Sequence, residues 1–138
     1  MKMSESVDQK KILILEYIQT HREKHKKHLS ESGFRCFIVP FSEKIYRMDF
    51  LSLFSMMSHE VKQTEANLIL ADTSLHVEII KALRQLKDNN PDLKVIYLNY
   101  LGDKYKRNMK GIPYPRLRIE ELQRRPEILS NLVQRLLR

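Results

Sequence analysis

Asn67-Leu68-Ile69-Leu70-Ala71-Asp72 decides the fold of this chain. Four apolar residues stand in an unbroken run, too short for a helix and ended by an acid; that is the pattern of a strand buried on both faces of a sheet. Working outward, Val95-Ile96-Tyr97-Leu98 and Ile12-Leu13-Ile14-Leu15 repeat it, and Phe34 to Val39 is an aromatic and β-branched stretch that Pro40 ends. Between these runs the period changes. Thr20 to Ser32 is long and charged, with Gly33 as its helix stop. Leu51, Phe54, Met57 and Val61 lie near helical spacing behind Asp49, an N-cap residue, which predicts a helix over 49–62. Ile79, Leu83 and Leu86 recur at i, i+4 and i+7 before the turn Asn89-Asn90-Pro91-Asp92. Beyond strand four, 112–119 reads as a short extended piece. Ile128, Leu132 and Leu136 mark a last amphipathic helix with Pro126 in its first turn.

Strands that alternate with helices imply βαβ units. Continuous apolar strands imply a parallel sheet covered on both faces, so the expected architecture is an α/β three-layer sandwich of about five strands. Ligands and chemistry in such sheets gather at the carboxyl ends of the strands. Glu16, Asp72 and Asn99 each follow or end a strand and should converge on one crevice.

The composition narrows the function classes. The chain has 138 residues, 42% of them apolar, enough for an ordinary folded core. No run approaches the eighteen apolar residues of a membrane helix, and the polar residues 1–10 read as a flexible lead-in without the apolar stretch of a secretion signal, with the folded unit over 11–138. A cytoplasmic setting is expected. Cys36 is the single cysteine, so a disulfide framework and a cysteine-built zinc site are excluded. With three glycines, the chain contains neither GxGxxG nor GxxxxGK[ST]. The net charge is +8, unevenly spread: residues 1–100 hold 15 basic and 13 acidic side chains, residues 101–138 hold 10 and 4. An electrostatic docking face is therefore expected on the last third, through Lys104, Lys106, Arg107, Lys110, Arg116 and Arg118.

Four stretches in order, Ile12-Leu13-Ile14-Leu15-Glu16-Tyr17, Gly33-Phe34-Arg35-Cys36-Phe37, Asn67-Leu68-Ile69-Leu70-Ala71-Asp72 and Val95-Ile96-Tyr97-Leu98-Asn99, resemble the response-regulator receiver domain, the module that takes a phosphoryl group onto an aspartate from a histidine kinase. The resemblance covers roughly residues 11–100. It implies a (βα)5 flavodoxin-like sheet of order 2-1-3-4-5. It places Asp72 at the phosphoacceptor and Glu16 at one of two adjacent Mg²⁺-binding acids. Tyr17 stands where the second acid would be, so Glu16 and Asp72 would hold Mg²⁺ weakly or not at all. Asn99 takes the place of the switch Thr or Ser and keeps a donor amide. Tyr114-Pro115 takes the place of the Lys-Pro after strand five, and the charge is lost. Fifteen positions separate Asn99 from Tyr114, which predicts a reduced fourth helix. The loop after Asp72 is short and the stretch 41–66 is long for the family. These departures describe a degenerate receiver, or pseudo-receiver, in which signalling runs through protein contacts with little or no aspartyl phosphorylation.

Other constellations are weighed against that reading. His21, His25 and His28 form one stripe on the first helix; the sequence favours a solvated basic face, HREKHKKH, over a metal or pH-sensing site, because no acid or cysteine completes a ligand set. Cys36 reads as a small buried hydrophobe and Met56-Met57 as core. No catalytic triad can be assembled around His59 or His76, so no enzyme is expected. The expected partner is a protein with an acidic surface, with a homodimer or an output domain outside this chain as variants of the same contact. The alternatives are a working phospho-switch on Asp72 and a nucleic-acid-binding domain using the basic 104–138 surface, which lacks any recognised nucleic-acid motif.

Overall fold

In the computed structural model of the chain, the structure describes residues 9–39, 43–73, 77–99, 113 and 115–138. In chain order come β1 (Lys11–Leu15), α1 (Gln19–Glu31), β2 (Arg35–Ile38), a 3-10 turn (Glu43–Arg47), α2 (Phe50–Thr64), β3 (Leu68–Asp72), α3 (Val77–Asn89), β4 (Lys94–Asn99), β5 (Arg116–Arg118), α4 (Ile119–Arg124) and α5 (Glu127–Leu136). The five strands form one sheet of order β2-β1-β3-β4-β5 with every pairing parallel, as expected. The segment expected to carry a reduced fourth helix, and residues 1–8 of the lead-in, lie outside the described residues.

Residue parity sorts the core. Odd strand residues, Leu13, Leu15, Ile69, Ala71, Val95 and Tyr97, pack with Leu53 and Met57 of α2 and with Ile79, Leu83 and Leu86 of α3. Even residues, Ile12, Ile14, Leu68, Leu70, Ile96 and Leu98, pack with Leu29 of α1, Ile119 and Leu122 of α4, and Leu129, Leu132 and Val133 of α5. Because successive side chains on a strand point to opposite faces, an unbroken apolar run feeds both layers at once. Each fully buried Leu or Ile stabilises the fold by about 1.5–3 kcal/mol relative to exposure.

Local chemistry fixes the joints. Asp49 caps α2, accepting from the Ser52 amide at 2.8 Å. Gly33, at φ +98°, ends α1: its amide donates to the Ser30 carbonyl and that of Phe34 to the Leu29 carbonyl, both at 3.1 Å, the paired bonds of a Schellman stop. Asn67 ties the amino ends of β1 and β3: its side-chain carbonyl accepts from the Lys11 amide and its own amide donates to the Lys11 carbonyl, both at 2.8 Å.

The carboxyl-terminal segment differs from expectation. The extended piece is only three residues long, and a separate helix, α4, begins at Ile119. Ile119 and Leu122, one helical turn apart, bury against the even face, and Glu120 and Glu121 lie in the first turn where the helix dipole favours acids. Pro126 stands at the N-cap of α5 rather than inside its first turn, with φ −63° and ψ −24°.

Candidate functional site

The register brings the expected acids together. Leu15 of β1 is level with Ala71 of β3, so Glu16 and Asp72 are the next residues on neighbouring parallel strands, roughly 5 Å apart along the hydrogen-bonding direction. Asp72 is in turn level with Leu98, and Asn99 is level with Arg118 of β5. Glu16, Asp72 and Asn99 are all buried, at 0%, 6% and 3% exposure. Thr73, which belongs to no motif and was not singled out above, locks this edge. Its amide and its hydroxyl both donate to the Leu98 carbonyl at 2.9 Å.

Glu16 is not an open ligand. Its position continues the even parity of Ile12 and Ile14, the face covered by α1, and there its Oε1 lies 2.5 Å from His25 Nδ1. One proton is shared across this contact, between a carboxyl oxygen and a ring nitrogen. The other oxygen, Oε2, is buried with no hydrogen-bond partner among the described residues. Arg22, one turn before His25, donates to the Glu16 backbone carbonyl at 3.1 Å. Tyr17, beside Glu16, is 38% exposed.

The histidine stripe is therefore not the solvated face that the sequence suggested. His21 and His25 are buried, and the Gln123 side-chain amide on α4 donates to His21 Nε2 at 2.9 Å. With Leu29 as its only buried apolar residue, α1 seats itself through imidazoles. A buried acid ending β1 was the available signal: such a group needs a donor, and the second turn of the following helix is the nearest supply. Among the described residues no group of three or more His, Cys, Asp and Glu side chains is placed to hold a metal ion.

Tyr114 and the basic residues Lys104, Lys106, Arg107 and Lys110 lie outside the described residues. The place expected for Tyr114, after strand five, is nonetheless corrected, because β5 spans Arg116–Arg118 and Tyr114 precedes it. The residue at the carboxyl end of β5 is Arg118. Arg116 and Arg118 are half-buried, while Arg124, Arg125, Arg135 and Arg138 are exposed. Cys36 is half-buried, with its thiol pushed up by burial.

No family model matches the sequence, and no curated protein does. Solved structures do match. A response regulator from Thermotoga maritima superposes with a TM-score of 0.65 at 14% identity, over 94% of this chain and 98% of that one. The receiver domain of a signal-transduction histidine kinase from Syntrophus aciditrophicus gives 0.63 at 23% identity, over 93% and 89%. The fold is that of a receiver domain. A third neighbour with the receiver fold is a redox sensor of the streptococci, from a family described as evolved from two-component response regulators, at 0.55 and 18% identity over 91% of this chain and 54% of that one. No helix among the described residues is long and apolar enough to cross a membrane.

Proposed function

We propose that this chain is a cytoplasmic pseudo-receiver: a receiver-fold signalling domain, not an enzyme, that acts through protein contacts with aspartyl phosphorylation absent or weak. The observation that carries this reading is the Glu16–His25 contact. In the receiver scheme that the sequence resembles, the acid after β1 faces a divalent cation; here one of its oxygens is held by an imidazole inside the protein and the other is sealed from solvent. Mg²⁺ asks for near-octahedral oxygen ligands and gives up water reluctantly. A fully buried carboxyl group already bonded to a histidine does not fit the weak Mg²⁺ site expected of Glu16 and Asp72. The streptococcal redox sensors are a precedent for the fold working outside its parent scheme.

The docking face in this proposal is the basic carboxyl-terminal surface, which would take an acidic protein surface, a second copy of the chain, or an attached output domain. Charge of one sign on a surface favours encounter and register with a partner of the other. Nucleic acid is the lesser alternative and predicts a steeper loss of affinity with salt.

One observation favours the phospho-switch alternative. Arg118 ends β5 level with Asn99, so a guanidinium can supply the charge that Tyr114 lacks. The deciding experiment is a titration of Mg²⁺ with beryllofluoride, a phosphoryl mimic, into the wild-type chain and an Asp72→Asn variant, followed by amide NMR. The pseudo-receiver predicts no saturable shifts in either sample. Saturable shifts at Glu16, Asp72 and Asn99 that vanish in the variant would establish the switch instead.

A further inference from the structure

β2 (Arg35–Ile38) is an outer strand of the sheet, at the far end of the order β2-β1-β3-β4-β5 from β5. Its bonding to β1 fixes which of its backbone groups stay open. The Arg35 amide donates to the Lys10 carbonyl and the Val39 amide to the Ile14 carbonyl, both at 2.9 Å. On a strand, the amide and carbonyl of one residue point to the same side and those of the next residue to the other. The odd residues of β2 therefore bond to β1, and Cys36 and Ile38 turn their amides and carbonyls outward. Among the described residues nothing bonds to these outward groups. Edge strands are ordinarily guarded by a charge or a proline within the strand. Here the open stretch Cys36-Phe37-Ile38 is half-buried and uncharged, and Arg35, the charged residue of β2, lays its guanidinium over the Phe37 ring, 5.1 Å from the centroid. Phe37 packs against the odd-side core and is only partly covered by it.

Self-complementarity selects the occupant. Two antiparallel strands exchange both hydrogen bonds between directly opposed residues at every second position. With Phe37 on a two-fold axis, Cys36 lies opposite Ile38 of the second copy and Ile38 opposite Cys36 of the second copy, so every outward amide meets an outward carbonyl. The two Phe37 residues then oppose each other as a close pair without hydrogen bonds, their Cα atoms about 4.5 Å apart and their rings on one face within reach of each other. Arg35 falls opposite Val39 of the second copy, not opposite its own image, so the ribbon sets no like charges directly across from each other although the chain carries +8. We infer that β2 pairs with β2 of a second copy of this chain, antiparallel about Phe37, and joins two five-stranded sheets into one. The contact uses the same patch on both copies, as a closed two-fold dimer requires. It lies on the strand farthest from β5 and does not depend on the signalling role proposed above.

The test combines sedimentation with amide hydrogen exchange on the full chain, from roughly 1 µM to 1 mM. Dimer formation that rises with concentration is expected. As the dimer fills, exchange at the Cys36 and Ile38 amides should slow by about tenfold or more, while the Phe37 amide, bonded to β1 in either state, changes less. The Phe37→Glu and Phe37→Lys variants put like charges across the axis and should each stay monomeric, whereas an equimolar mixture of the two should form a heterodimer. A wild-type chain that stays monomeric at every concentration would overturn the proposal. So would association that leaves the Cys36 and Ile38 amides unprotected, or that is as strong in Phe37→Glu as in wild type, since the self-contact would then lie elsewhere, as on the basic carboxyl-terminal surface. Where a Phe37 change impairs folding, the exchange pattern of the wild-type chain decides alone.

Discussion

Glu16 and His25, nine residues apart in sequence, meet in the interior with the carboxylate fully buried and the imidazole nearly so. The pair replaces an apolar seam between β1 and α1, and its value lies in neither partner being alone. Removing one partner of a buried hydrogen-bonded pair leaves an uncompensated polar group, at a cost of about 1–3 kcal/mol. His25→Ala should lower unfolding stability by that order in urea titration. Replacing both partners together, Glu16→Leu with His25→Leu, should recover much of the loss, because two apolar groups of similar shape need no hydrogen bond. Additive losses in the double variant would show that the two side chains do not act as a unit.

Asp49 makes the stability of α2 depend on pH in a defined direction. Hydrogen bonds from the Ser52 amide and hydroxyl hold its carboxyl below the ordinary carboxylate range. A group that binds its proton less tightly when folded contributes fully above its unfolded pKa, and that contribution fades as the pH falls through the folded value. The stability gap between wild type and Asp49→Ala should therefore be widest near neutrality and narrow as the pH falls below the ordinary carboxylate range. Urea midpoints measured across that range check it. Asp49→Asn, which keeps a cap without a titrating group, should show a flatter profile.

Gly33 should resist substitution for a backbone reason alone. A Cβ there would meet nothing within 4 Å, yet φ is +98°. Gly33→Ala should cost about 1–2 kcal/mol from the left-handed conformation, measurable by thermal melting, with no change in the packing signals of Leu29 and Phe34. A cost near zero would mean that the α1 stop relaxes into another turn.

Cys36 should be a slow thiol. Burial is the main reason its thiol is pushed up, against smaller lowering effects from Ser30 and Lys26. Only the thiolate reacts, so alkylation by iodoacetamide near pH 8 should run several-fold slower in the folded chain than in urea. Equal rates in the two states would contradict the half-buried thiol.

The sequence made the sheet legible because strands buried on both sides must be apolar throughout: 12–15, 68–71 and 95–98 admit no other reading, and their terminal acids and amide mark one end of the sheet. The order of the strands came from resemblance, since periodicity says nothing about which strands are neighbours. What failed to show was the role of α1. Histidine counts as polar on any hydropathy scale, so a helix seated by His21 and His25 has the pattern of a surface helix until its buried acid is known. The last strand falls inside the expected 112–119, but its exact span failed to show for a related reason: Arg116-Leu117-Arg118 is short and two-thirds charged. The basic residues in 104–110 were read from charge alone, and charge does not specify geometry.

The odd and even sides of the sheet meet only through its backbone. A void opened at Leu53 on α2 cannot be refilled by enlarging a neighbour of Leu29 on α1, because five strands stand between them. Damage and repair on each side are thus separate histories. A lineage could rebuild the α1–α5 layer around imidazoles while the α2–α3 layer stayed as it was.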